Sequence, residues 1–181
     1  MFFHRLQTLI DTLQMTYRQG NIGDVEQLRL LGLKAWEQYR NDLTPENWQK
    51  LLSNLSRKET YLELLEKSYC IVCENADGEI IGMAFLVPSG NPTEIYQPEW
   101  CYIRFVSVYP EYSGKGIGRQ LTEKCIEIAK SNNEQTIALH TSEIMKKARH
   151  IYERLGFTVL REIESRLGKK YWLYTLDIAH L

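Results

Sequence analysis

The sequence carries almost no net charge, because 22 lysine and arginine residues are balanced by 23 aspartate and glutamate residues, leaving a formal charge of −1. Such a balance provides no overall field that would attract nucleic acid, so nucleic-acid binding is not expected. No apolar run approaches the length of about 20 residues that a membrane-spanning helix needs, and the N-terminus lacks the pattern of a secretory signal. We therefore expect a soluble, cytoplasmic protein with no membrane partner.

Cysteine is also scarce, with four residues at positions 70, 73, 101 and 125. They do not form the paired clusters typical of metal sites, and Cys70 and Cys73, in one strand-like run, should point to opposite faces. We predict that all four are reduced packing residues and that there is no metal site. The remaining composition, 44% hydrophobic and 25% charged, is ordinary for a globular protein.

The length of 181 residues is enough for one domain with a substantial core. We expect this domain to span residues 15–181, after an N-terminal extension at 1–14 whose apolar residues are spaced as one helical face. Asp24 is expected to cap one helix, and Thr44, followed by proline and an acidic residue, signals the start of another. Residues 75–78 have the composition of a β-hairpin turn.

A glycine-rich bend lies between a β-branched strand that ends near Val108 and an amphipathic helix that continues past Leu121. Glycines at 114, 116 and 118 allow main-chain N–H groups to converge without interference from Cβ atoms. The helix that follows directs its positive dipole end and its unpaired donors into the same bend. The pattern therefore predicts a binding site for a phosphorylated ligand.

Two common phosphate-binding loops do not fit this bend. A nucleoside-triphosphate loop requires Ser or Thr after its lysine, whereas Gly116 follows Lys115 here. A dinucleotide-binding fingerprint requires a third glycine at a position that Arg119 or Leu121 occupies, depending on where the count starts.

A second segment, residues 139–157, is predicted to run from a strand end through a helix into another strand. Ser142 is expected to be the N-cap of the helix, and Gly156 is expected to end it in a left-handed conformation. Between them, apolar residues recur at helical spacing: Ile144, Ala148, Ile151 and Leu155.

The two segments together resemble motifs A and B of the GNAT superfamily of acyl-CoA-dependent N-acyltransferases. Residues 113–118 fit the family's glycine loop, with Ser113 where Arg or Gln is usual. Met145 stands where many relatives have an asparagine that bonds the cofactor. The resemblance spans roughly residues 17–178 and implies an α/β (α+β) fold with a mixed, mostly antiparallel sheet of six or seven strands flanked by about four helices.

In that fold the strands at 100–109 and 135–141 diverge, and the pantetheine arm of the cofactor inserts between them. The resemblance implies acetyl-CoA as co-substrate and direct attack on its thioester by an amine. It assigns the oxyanion donor to the N–H of Val106, pantetheine binding to Val108, and the general acid to Tyr152. The residues that it assigns to the diphosphate are consecutive: Ser113, Gly114, Lys115, Gly116, Ile117, Gly118 and Arg119.

The base that takes the proton of the amine is expected to be His140, at a strand end, because a histidine titrates close to neutrality. Glu99 is the reserve candidate. The acceptor stays open between small-molecule and peptide amines, and the aromatic residues of this region could line its pocket or a homodimer face: Trp36, Tyr39, Trp48, Tyr96 and Trp100. A non-catalytic acyl-CoA sensor and a purely structural domain are the alternative functions.

Overall fold

The computed structural model describes residues 15–179, so the predicted helical extension at 1–14 lies outside the described residues. Seven strands and five α-helices lie within this range. In chain order they are β1 (Thr16–Gln19), α1 (Val25–Trp36), α2 (Pro45–Ser56), α3 (Lys58–Lys67), β2 (Tyr69–Glu74), β3 (Ile80–Val87), β4 (Cys101–Val108), α4 (Ile117–Ser131), β5 (Thr136–Ser142), α5 (Lys146–Arg154), β6 (Thr158–Arg166) and β7 (Lys169–Asp177).

The strands form one sheet in the order β1-β2-β3-β4-β5-β7-β6. Every neighbouring pair is antiparallel except β4 and β5, which are parallel. The prediction of a mixed, mostly antiparallel sheet of six or seven strands is confirmed, with five helices in the described range against about four expected. β4 and β5 pair only at Cys101 with Ile137 and at Tyr102 with Ala138, so the strands separate beyond these two pairs.

Alternate side chains of the strands pack against two separate layers of helices. In β2, Cys73 belongs to the core cluster that contains Leu121 of α4, whereas Cys70 belongs to the cluster that contains Leu28 of α1. The two cysteines therefore face opposite sides, as predicted, and all four cysteines are buried and free. α4 and α5 cover one face of the sheet, while α1 and α3 cover the other.

A β-bulge interrupts β4 shortly after the parallel pairs. Arg104 pairs with Phe85 and Ser107 pairs with Met83, so three steps along β4 match two steps along β3. The extra residue is accommodated by Phe105, whose φ of 54° lies in the left-handed region. Its ring is held by edge-to-face contacts with Tyr61 at 5.7 Å and Phe85 at 6.3 Å between ring centres.

The caps of the helices only partly follow the sequence signals. Thr44 caps α2 as predicted, because its hydroxyl accepts a hydrogen bond from the N–H of Asn47 at 3.3 Å. Asp24 makes no side-chain cap on α1, since its carboxylate accepts from the N–H of Asn21 and from Arg18, each at 2.8 Å. The carboxylate of Asp24 is therefore occupied by the charged hydrogen bonds from Arg18 and by the turn that precedes α1, and it does not cap the helix.

Ser142 is not the N-cap of α5, and that prediction is wrong. The strand β5 continues through Ser142, which pairs with Tyr171 of β7, and α5 begins only at Lys146. β7 pairs with β5 as far as Ser142, so the strand continues through the residue predicted to cap the helix. Gly156 does end the helix in a left-handed conformation with φ of 93°, as predicted.

Candidate active site

A cavity of about 550 Å³ opens where β4 and β5 separate. Val106 and Val108 of β4 and Tyr152 of α5 line its cofactor end, which we define by these three residues. Residues from the opposite face of the sheet line the other end, which we call the acceptor end: Trp36, Tyr39, Lys50, Arg104, Arg166 and Leu167. The cavity thus connects the two faces through the gap in the sheet.

The glycine bend follows directly on β4 and leads into α4. Gly114 and Gly116 have φ of 84° and 83°, and an added Cβ at either would meet no atom within 4 Å. Glycine is therefore required here for backbone conformation and not for lack of space. α4 starts at Ile117 with Gly116 at its N-cap and no acidic residue in its first turn, so its positive end faces the bend without a counter-charge from that turn.

Basic side chains surround the bend. Nζ of Lys147, in the first turn of α5, donates to the hydroxyl of Ser113 at 3.3 Å. Nζ of Lys115 lies 5.1 Å from the centre of the Tyr112 ring, and Arg119 pairs with Glu123 at 2.9 Å. Lys147 is a candidate that the sequence did not reveal, because only the packing of α5 beside the bend brings it to Ser113.

Tyr152 is held rigidly at the end of α5. Its carbonyl accepts the N–H of Phe157 at 3.0 Å, while the N–H of Gly156 bonds to the carbonyl of Glu153 at 3.2 Å. These two bonds form the glycine-terminated cap known as the Schellman motif. The side chain is 7% exposed and lines the cavity. Burial raises the pKa of the Tyr152 phenol above its usual value, so the hydroxyl stays protonated at neutral pH.

His140 lies on β5 beyond the last pair with β4 and also lines the cavity. Its Nδ1 is 2.6 Å from the hydroxyl of Tyr96, whose ring stacks on Tyr102 with centres 4.0 Å apart. Burial, with the charges of Arg166 and Arg104, lowers the pKa of His140 to about 3. The imidazole is therefore neutral at neutral pH. If Nδ1–H donates to Tyr96, then Nε2 is the acceptor.

Four of the predicted catalytic and cofactor-binding residues line one cavity, namely Val106, Val108, His140 and Tyr152. Of the aromatic residues considered for the acceptor pocket, Trp36 and Tyr39 line it, whereas Trp48, Tyr96 and Trp100 do not. The residues of the glycine bend lie beyond the end of β4, at the cofactor end. Glu99 lies apart from them, exposed in the loop before β4 and not among the residues that line the cavity.

The sequence of residues 33–157 matches the family model described as the acetyltransferase (GNAT) family. The chain belongs to this family. A relative from Xenopus tropicalis, described as probable N-acetyltransferase camello, is 29% identical over 120 residues, which are 62% of this chain and 52% of the relative. The matched regions cover between 22% and 52% of the length of the curated relatives.

Solved structures share the GNAT fold over almost the whole chain. The PaiA N-acetyltransferase from Thermoplasma acidophilum, crystallised with coenzyme A, has a TM-score of 0.73 at 19% identity, covering 90% of this chain and 98% of that one. The ribosomal-protein-S18-alanine N-acetyltransferase from Escherichia coli has a TM-score of 0.69 at 16% identity, covering 92% and 96%. Among residues 15–179, no helix combines the length and apolar character needed to cross a bilayer.

Proposed function

We propose that this chain is an N-acetyltransferase that moves the acetyl group of acetyl-CoA directly to a primary amine. The observation that carries the proposal is the separation of β4 and β5, which opens a cavity beside Val106, Val108 and Tyr152 at the end that adjoins the glycine bend. When bound, acetyl-CoA supplies an activated thioester. The unpaired strand edges in this gap are suited to hydrogen-bond the amide groups of an extended ligand.

The bend at residues 113–119 fits a diphosphate. An added Cβ at Gly114 or Gly116, which are both left-handed, would meet no atom within 4 Å, so a ligand can approach the backbone of the bend closely. The N-terminus of α4 adds a positive dipole end, and Lys147 lies at Ser113. This combination supports the assignment of residues Ser113 to Arg119 to cofactor binding.

The bulge in β4 supports a role for Val106 as the oxyanion donor. The irregular stretch between Arg104 and Ser107 includes Val106 and breaks the regular ladder with β3 there. We assign its N–H to the thioester oxygen, where a fixed donor is most effective as negative charge develops. Val108, two residues further, is assigned to the pantetheine arm.

His140 is proposed to orient the attacking amine. With Nδ1–H donating to Tyr96, Nε2 accepts a hydrogen bond from the neutral amine and directs its lone pair. Because the pKa of His140 is lowered to about 3, the ring does not retain a proton at neutral pH. The proton that the amine loses during the attack therefore passes to water. Tyr152 is assigned to the departing thiolate as a hydrogen-bond donor.

A cytoplasmic location is part of the proposal, because four unbridged cysteines suit a reducing compartment.

The proposal is tested by mixing the protein with acetyl-CoA and a panel of amines while free thiol is measured. Release of thiol that depends on the amine is expected. Binding of acetyl-CoA, seen as a rise in melting temperature, without turnover of any amine would favour the sensor function. Absence of binding at millimolar acetyl-CoA would contradict the proposal.

The glycine bend offers a direct prediction. Gly116→Ala should weaken acetyl-CoA binding about tenfold, because a side chain disfavours the left-handed conformation by about 1–2 kcal/mol and the N–H groups of the bend then shift. Titration calorimetry measures the change. Gly90→Ala is the matched control, since Gly90 has φ of 86° and equally open space but lies in the loop before β4. Equal weakening in both variants would contradict the assignment of the bend.

A further inference from the structure

The acceptor end of the cavity is positively charged. Among residues 15–179, the charged residues that line the cavity are Lys50, Arg104 and Arg166, and no aspartate or glutamate of this range lines it. Three positively charged side chains therefore line one cavity of a protein whose overall formal charge is −1. Like charges that lie close together repel each other, and a bound anion relieves this repulsion.

Arg104 has no carboxylate partner among residues 15–179. It is partly buried on β4, one residue before the bulge, and its guanidinium lies 5.4 Å from the centre of the Phe105 ring. The contact with the ring holds the side chain in place and leaves its N–H donors available. An unpaired, partly buried guanidinium in a cavity is a site prepared for an anion.

Arg166, at the end of β6, pairs with the carboxylate of Glu94 at 2.8 Å. The side chain of Glu94 is 79% exposed, and Glu94 is not among the residues that line the cavity. An ion pair of this kind contributes little to stability, about 0–1 kcal/mol, and a bound anion can compete with it. The guanidinium of Arg166 thus remains available to a ligand within the cavity.

The guanidinium groups of Arg104 and Arg166 both influence His140. Arg104, Arg166 and His140 line the same cavity. Burial is the main cause of the lowered pKa of His140, and the charges of the two arginines lower it further and oppose the burial-driven rise in the pKa of Tyr96. His140 and Tyr96 are hydrogen-bonded to each other, so Arg104 and Arg166 approach one small polar cluster from β4 and β6. The attacking amine, which His140 is proposed to orient, would lie close to both cations.

We propose that the acceptor is an amine that also carries an oxyanion, a carboxylate or a phosphate, bound by Arg104 and Arg166. This inference rests on the proposed acetyltransferase function. The planar forks of two arginines match the oxygen pairs of carboxylates and phosphates. Amines with additional positive charge, such as polyamines and aminoglycosides, are repelled from the same opening.

The test compares acceptors that differ only in the anion. Each L-amino acid is paired with its carboxamide, phosphoethanolamine is paired with ethanolamine, and spermidine is the polycationic member of the panel. With thiol release as the readout, kcat/KM of the best anionic amine should exceed that of its neutral partner by at least about tenfold, as expected for one lost charged hydrogen bond. A preference for amino acids identifies a carboxylate site, and a preference for phosphoethanolamine identifies a phosphate site.

Equal or faster turnover of the amides, of ethanolamine or of spermidine would overturn the inference while leaving the acetyltransferase function intact. If acetyl-CoA does not bind, or if no amine in the panel releases thiol, both the inference and the proposed function are contradicted. Acetyl-CoA binding is therefore measured separately, by calorimetry.

Variants locate the anion site. Arg104→Gln and Arg166→Gln should each raise KM for the best anionic amine about tenfold and should reduce its advantage over the neutral partner. Arg161→Gln is the matched control, because Arg161 lies on the same strand as Arg166 but is exposed and outside the cavity. Glu94→Gln should leave KM unchanged or lower it. An unaltered affinity for acetyl-CoA verifies that each variant is folded, and unchanged anion preference in both arginine variants would overturn the inference.

Discussion

Tyr152→Phe is expected to lower kcat by about 100-fold, which is typical for the loss of a positioned proton donor. The affinity for acetyl-CoA should stay within about twofold, since Phe preserves the apolar contacts of the ring. Burial raises the pKa of Tyr152, so the hydroxyl acts as a fixed hydrogen-bond donor to the leaving sulfur and not as a strong acid. Steady-state kinetics with acetyl-CoA and the best amine of the panel measure both quantities.

Tyr61→Phe is the matched control for this prediction. Tyr61 is also a buried tyrosine, and its hydroxyl donates to the carbonyl of Leu55, but it is not among the residues that line the cavity. Its loss should lower the free energy of unfolding by about 1 kcal/mol and leave kcat unchanged. A large drop in acetyl-CoA affinity with normal kcat in Tyr152→Phe would make Tyr152 a structural residue.

The features that the sequence predicts well depend on local chemistry. The glycine-rich bend between a strand and a helix is expected from the glycines and from the periodicity on either side, and the structure has it, with Gly114 and Gly116 in the bend and Gly118 already within α4. The end of α5 at Gly156 has the same basis. Each of these signals lies within a few residues of the feature that it predicts.

The features that the sequence does not predict depend on distant partners. Nothing in the sequence around Phe105 favours a positive φ. The residue adopts it in the folded protein, where its ring packs against the rings of Tyr61 and Phe85. Ser142 carries a good cap signal, yet β7 extends the strand through it. In both cases tertiary pairing outweighs a local preference, and only the assembled sheet reveals the result.

The polar cluster of the cavity is also non-local. Tyr96, His140 and Arg166 come from a loop and two strands that are far apart in the sequence, and no spacing pattern connects them. The residue type of His140 indicates a group that titrates near neutrality, as expected from the sequence. Its surroundings reverse this expectation, because burial and two arginines favour the neutral ring.

The lowered pKa of His140 predicts a specific loss of stability in acid. The pKa is about 3 in the folded protein and about 6.5 in the unfolded chain. Between these values the unfolded chain binds the additional proton, so the free energy of unfolding falls as the pH falls. The contribution of His140 to the free energy of unfolding is complete above a pH of about 6.5 and is lost progressively as the pH falls below that value. From pH 7 to pH 4 the loss due to this one group should be about 2–3 kcal/mol, with allowance for its access to the open cavity.

His140→Asn should remove this part of the pH dependence. The amide of asparagine does not titrate, and it can replace Nδ1 as the hydrogen-bond partner of Tyr96. Urea unfolding between pH 4 and pH 7 measures the slope, so a uniform loss of stability in the variant does not affect the comparison. His150→Asn is the matched control, because His150 is exposed on α5 and outside the cavity. If both variants flatten the slope equally, or if neither does, the neutral, buried state of His140 is contradicted, and its proposed role in orienting the amine fails with it.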